Sequence, residues 1–140
     1  MNQNIVPGRR MRALLLAAGV LALSGCAAFK PSTPEQIVEQ RAKEYWQARV
    51  AGQFEKAYAL STPAYRKTRT ADQFRMQFGA GVAIKSVEVT KVTCESEKCI
   101  TQVKLGVQPA MVGAKLGTID SYLDETWLLE DGQWWHYQDL

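Results

Sequence analysis

Two apolar rhythms share this chain, and the switch from one to the other near Gly81 is the feature that most limits its fold. Before the switch, Val38, Ala42, Tyr45, Trp46 and Val50 recur at helical spacing, with Glu39 and Lys43 paired at i,i+4 on the polar side. Thr33-Pro34-Glu35-Gln36 opens this helix with a hydroxyl cap, a proline where the missing N–H costs nothing, and a glutamine placed to close a capping box. Gly52 is its expected stop. A second helix is expected over residues 54–60 with Phe54, Ala57 and Tyr58 inward, and Thr62-Pro63 starts another helical turn. Thr70-x-x-Gln73 repeats the capping box ahead of Phe74 and Phe78, with Gly79 closing that helix.

After Gly81 the period becomes two. Residues 82–93 and 100–107 are rich in Val, Ile and Thr, and the polar run Glu95-Ser96-Glu97-Lys98 between them marks a hairpin turn. Cys94 and Cys99 would face each other across it, and a structural disulfide is the expected state wherever the compartment allows oxidation. Closing so short a loop stabilises by about 2 kcal/mol or less. Residues 108–116 contain Pro109 and Gly113, which argues against a regular central strand there. Residues 119–130 and 133–138 form the last two strands, joined by Asp131-Gly132, a strong short hairpin signal. A two-residue turn pairs Leu129 with Trp134, Leu128 with Trp135, Trp127 with His136 and Glu125 with Gln138.

Helices first and a strand meander afterwards define an α+β fold with helices covering one face of an antiparallel sheet. The stretch from Tyr45-Trp46-Gln47-Ala48-Arg49 through Gly52-Gln53-Phe54 to Ala57-Tyr58, then Ser61-Thr62-Pro63-Ala64-Tyr65-Arg66 and the closing Trp127 to Trp134, resembles the NTF2-like superfamily. The resemblance spans most of residues 34–138 and implies a cone: N-terminal helices packed on a curved antiparallel sheet, with a pocket at the open end. Gln53 stands where an aspartate often follows the glycine.

The first residues belong to something else. Arg9, Arg10 and Arg12 precede an apolar run at residues 13–23, followed by Ser24-Gly25-Cys26, the three-part layout of an export signal. The run's eleven residues make a helix of roughly 16 Å, half of a bilayer's hydrocarbon thickness, so cleavage explains it better than a permanent span. Leu23-Ser24-Gly25-Cys26 resembles the lipobox of bacterial lipoproteins, which implies a diacylglycerol thioether on Cys26, cleavage before it, and acylation, typically with palmitate, of the new amine. Ala27 is not the aspartate that retains such proteins at the inner membrane, so the resemblance implies an outer-membrane anchor with the domain facing the periplasm. The expected division is a signal at residues 1–25, a lipidated N-terminus and short tether at 26–32, and a single domain at 33–140. Removing the three signal arginines from the 17 basic residues leaves 14, equal to the 14 acidic ones. A neutral domain gives a nucleic-acid partner no electrostatic footing.

Chemistry-bearing residues are few. His136 is the sole histidine and by strand alternation shares a face with Trp127, Trp134 and Glu125, so His136 beside Glu125 is the candidate acid–base pair. Asp120, Asp124 and Glu125 can be read as paired carboxylates, but a solvated strand end is the favoured reading. One histidine and a C-x4-C pair supply no zinc set, and no cofactor motif is present. Tyr45, Trp46, Tyr58, Phe74, Phe78, Trp127 and Trp134 are the candidate pocket lining, with much of the aromatic set needed for core. Trp135, pointing opposite to Trp134, suggests a dimer or partner surface. The function these features favour is a lipid-anchored binding or interaction module for an apolar small ligand or an envelope protein. The alternatives are a small acid–base enzyme and a homodimeric scaffold without ligand.

Overall fold

The computed structural model describes residues 32–78, 82–109 and 117–139. The expected export signal, Cys26 and the rest of the expected tether before Ser32, Gly79 as the expected helix stop, and the apolar stretch around Met111 and Gly113 lie outside the described residues.

Three helix starts, those of α1, α3 and α4, coincide with threonine side chains that satisfy orphan amides. In α1, Pro34–Val50, the Gln36 amide donates to the Thr33 hydroxyl at 3.3 Å and the Thr33 amide donates back to the Gln36 side chain at 3.1 Å. The same reciprocal pair, Thr70 with Gln73, opens α4, Ala71–Met76. Between them lie α2, Phe54–Ala59, and α3, Pro63–Thr68, the latter capped by Thr62. Gly52, at φ +70°, turns the chain out of α1. Val38, Ala42, Tyr45 and Trp46 are buried along α1, joined by Ala48. Val50 departs from the expected stripe: the last turn reaches past the core, leaving Val50 51% exposed beside open space. In α2 Ala57 is fully buried, while Phe54 and Tyr58 are half-buried against the core. The Tyr58 hydroxyl donates to the carbonyl of Arg69 at 2.6 Å, tying α2 to the end of α3.

Four antiparallel strands follow in spatial as well as chain order: β1, Val82–Glu95; β2, Lys98–Pro109; β3, Ile119–Glu130; β4, Gln133–His136. Cys94 and Cys99 are direct partners in the β1–β2 ladder and are disulfide-bonded. Asp131 and Gly132 both take positive φ, 52° and 74°, as a type I′ hairpin requires, and set Leu129 opposite Trp134, Leu128 opposite Trp135 and Trp127 opposite His136.

Three details differ from the sequence-based expectation. Strand β2 continues to Pro109, paired with Val82; the β2–β3 ladder has already ended at Val107 and Ile119, so the missing proline N–H loses no bond on that side. Strand β4 stops at His136, and Gln138 does not pair with Glu125. The segment between α2 and α3 captures this edge instead: the His136 amide donates to Leu60 at 2.8 Å, the Thr62 amide donates to His136 at 3.0 Å, and the Ser61 hydroxyl donates to Gln138 at 2.9 Å. Trp135 does turn away from Trp134, but it is no bare patch. Arg41 and Arg66 place their guanidinium carbons 5.2 and 4.8 Å from its ring centroid, and its indole N–H donates to the Glu130 carbonyl at 3.2 Å.

Both edge strands, β1 and β4, contact α1, so the sheet curves around that helix. Register shifts between Ile84 and Ser86 and between Val89 and Lys91 bend β1 while keeping Ile84, Val87 and Val89 opposite Val107, Leu105 and Val103. Ser32–Leu140 forms one compact unit, with a core of α1 and helical aromatics against Cys99, Val103, Trp127 and Trp134. Helical cover runs out toward the start of β3, where Ile119 and Ser121 are exposed although Glu125 and Trp127 further along are buried.

One close approach on the outer face makes a direct prediction. A Cβ on Gly106 would collide with the Ser86 hydroxyl and lie 3.1 Å from a Thr118 methyl. Gly106→Ala is expected to destabilise the domain by about 1–3 kcal/mol, and Ser86→Ala in the same chain, which removes the colliding oxygen, should recover most of that loss. Thermal denaturation of the single and double variants checks this. Equal midpoints for Gly106→Ala and the parent would show that the contact relaxes freely.

Candidate functional site

Where the sheet outruns the helices, a cavity of about 850 Å³ opens between the C-terminal half of α1, residues 54 and 78, and the inner face of the sheet. Its walls are mainly apolar, from Phe54, Phe78, Ile84, Leu105, Val107 and Leu123, with a few polar groups gathered at one side. That volume lies in the range of small-molecule sites, roughly 300–1,000 Å³.

The polar side is built by three elements. Strand alternation puts Glu125 on β3 and His136 on β4 onto the inner face, 7% and 6% exposed. His136 Nε2 stands 3.4 Å from Glu125 Oε1, and the Thr101 hydroxyl of β2 donates to Glu125 Oε2 at 3.4 Å. Glu125 is therefore no part of a solvated strand end, because its side chain points under α1. Asp120 and Asp124 do remain exposed, Asp120 pairing with Lys104 at 3.0 Å. Tyr45 of α1 stacks on the His136 ring at 4.2 Å between centroids, and Trp127 meets it edge-on at 5.2 Å. The imidazole is thus held largely by packing, with its Nδ1 buried and unpartnered. Burial pushes the Tyr45 phenol above its ordinary value, opposed by the charge of the neighbouring Arg49. At neutral pH the phenol is a neutral hydrogen-bonding group.

Of the expected pocket aromatics, Tyr45, Trp46 and Phe78 line this cavity. The expectation is corrected for Phe74, Trp127 and Trp134, at most 5% exposed, and for Tyr58, whose hydroxyl is spent on backbone carbonyls. These rings lie where helices cover the sheet and are consumed as core. Arg49 is not among the residues that the sequence marks as a site, yet it lines the cavity beside Trp46 and Phe78. Its one signal is its place a helical turn beyond Tyr45, on the margin of the apolar stripe.

Trp46 also borders a second cavity, of about 700 Å³, between α1 and β1. Among the described residues no group of three or more His, Cys, Asp or Glu side chains is positioned to hold a metal ion.

No family model and no curated protein matches the sequence. Among solved structures, the chain is similar to a SEC-C motif containing protein from Rhodopseudomonas palustris, with a TM-score of 0.55 and 12% identity over 76% of each chain. Weaker similarities are to an LEH-like epoxide hydrolase from M. tuberculosis (TM-score 0.49, 14% identity, 77% of this chain and 83% of that one) and to a protein described as an NTF2-like transpeptidase from Campylobacter jejuni (TM-score 0.40, 11% identity, 77% of this chain and 100% of that one). Identities this low speak to fold alone, and the fold is α+β: N-terminal helices packed on a curved antiparallel sheet.

Proposed function

We propose that the chain is a lipid-anchored binding module of the bacterial envelope, held at the outer membrane through Cys26, facing the periplasm and taking an apolar small molecule into the cone. The cavity of about 850 Å³, apolar on most of its wall and polar on one side, carries this reading. The lipobox Leu23-Ser24-Gly25-Cys26 supports the address. His136, packed between Tyr45 and Trp127, also lines the cavity beside Glu125, and this geometry carries the acid–base alternative.

Native mass spectrometry of the full chain carrying Cys26→Ser, purified under gentle conditions, tests the module. The expected result is a bound small mass released by mild activation. Bare protein that also fails to take up added apolar compounds would move the assignment to an interaction scaffold, whose partner is an envelope protein or a second copy of this chain. Turnover of a bound compound, lost in His136→Gln, would establish the acid–base alternative.

A further inference from the structure

Arg49 has an arrangement that core packing does not require. Its guanidinium carbon lies 3.6 Å from the Phe78 ring centroid, 4.3 Å from that of Trp46 and 5.5 Å from that of Tyr45. Aromatic faces stabilise the positive charge but accept few of a guanidinium's five N–H donors. Arg49 Nε is buried without a hydrogen-bond partner, and no carboxylate among the described residues forms a salt bridge with Arg49. The nearby carboxylates are otherwise placed. Glu125 is engaged by His136 and Thr101, and Asp124 stands exposed to solvent. A partly buried guanidinium left without an anion is costly, and the cheapest remedy is an anion supplied by what enters the cavity.

We infer that Arg49 selects the ligand: the cavity takes an amphiphilic carboxylic acid, its carboxylate held by the Arg49 guanidinium beside the Tyr45 hydroxyl and its hydrocarbon body against Phe54, Ile84, Leu105 and Val107. The inference rests on the binding reading above. A carboxylate matches the planar donor fork of arginine and accepts two parallel N–H bonds, whereas a neutral alcohol of equal length leaves the fork unsatisfied. Arg49 and Tyr45 sit one turn apart on a single helix, so the two donors are fixed relative to each other by α1. The aromatic contacts restrict the guanidinium further.

Decanoate and 1-decanol differ in the head group alone and are the probes. Titration of the Cys26→Ser full chain, followed by the change in tryptophan fluorescence as Trp46 on the cavity wall is covered, should give decanoate an affinity about tenfold or more above that of decanol, the return of a charge-assisted pair over a neutral one. Arg49→Gln should bring the ratio of the two affinities close to one. Arg49→Lys, which keeps the charge but not the fork, should leave an intermediate ratio; it is the reporter if the glutamine variant fails to fold. A ratio near one in the parent chain, or a full preference surviving in Arg49→Gln, overturns the inference while leaving the apolar cavity reading intact. Failure of both probes to bind removes the binding reading itself, and the inference with it.

Discussion

A chain carrying Cys26→Ser is expected to leave the membrane fraction almost completely and to incorporate no palmitate when cells are labelled with it. The size of the effect follows from what else could hold the protein. The apolar run at residues 13–23 makes roughly 16 Å of helix, too short for a stable span of a 30 Å hydrocarbon core. Among the described residues no helix is long and apolar enough to cross a membrane. Each buried methylene of an acyl chain contributes about 0.8 kcal/mol, and a single chain gives only marginal, reversible attachment. A diacylglycerol thioether plus an acylated amine on Cys26 would supply several chains, all lost with one thiol. Fractionation on a density gradient reads the result, and the parent should band with outer membrane. Ala27→Asp should move it toward the inner membrane. Retention of the Cys26→Ser protein in the membrane fraction at parental levels would show that another element anchors it.

Much of the domain is legible in its sequence because the chemistry that specifies it is local. Thr33 with Gln36 and Thr70 with Gln73 write helix starts into four residues each, and Asp131-Gly132 writes a hairpin and its register into two. Face assignments follow from alternation, which is why Trp127, Trp134 and His136 lie together on the inner face. What is not legible depends on distant segments. The residues inserted at the two β1 register shifts, between Ile84 and Ser86 and between Val89 and Lys91, look like any others in a Val-rich strand, and only their partners on β2 define them as extra. Strand β4 ends where residues 60–62 take over its free edge, a contact between segments more than seventy residues apart along the sequence. The division of aromatics into core and cavity is hidden for a related reason. It is decided by how far the sheet extends past the helices, and no single side chain records that length. Arg49 illustrates it: its sequence neighbours place it at the margin of a helix stripe, while its role depends on Phe78 approaching from another helix end.

The largest loss of stability from one truncation is expected at Trp127. It is fully buried, the largest such side chain among the described residues, and sits at the centre of the inner face, opposite Cys99 on β2 and His136 on β4. Its ring meets Tyr45 edge-on at 6.4 Å, and Tyr45 in turn rests on His136, so one indole backs both the helix and the polar side of the cavity. Trp127→Ala should cost about 3–5 kcal/mol, combining lost transfer energy with the void left behind. Against a typical total of roughly 5–15 kcal/mol, that leaves a domain that is partly unfolded at growth temperature or close to it. Trp127→Phe should be much milder. It keeps the apolar contacts and edge geometry, and it removes an indole N–H that is buried without a partner, so its cavity penalty is partly offset. Urea unfolding of parent and both variants gives the comparison, with the midpoint reporting stability and an unchanged slope confirming that the same surface is exposed. A Trp127→Ala chain within about 1 kcal/mol of the parent would contradict this packing. The intermediate outcome carries information as well: if the alanine variant stays folded at low temperature but binds decanoate poorly, the indole holds the Tyr45 and His136 rings in register as cavity wall. Stability and ligand selection would then share one residue, because the domain's core and its cavity are two ends of the same stack of rings.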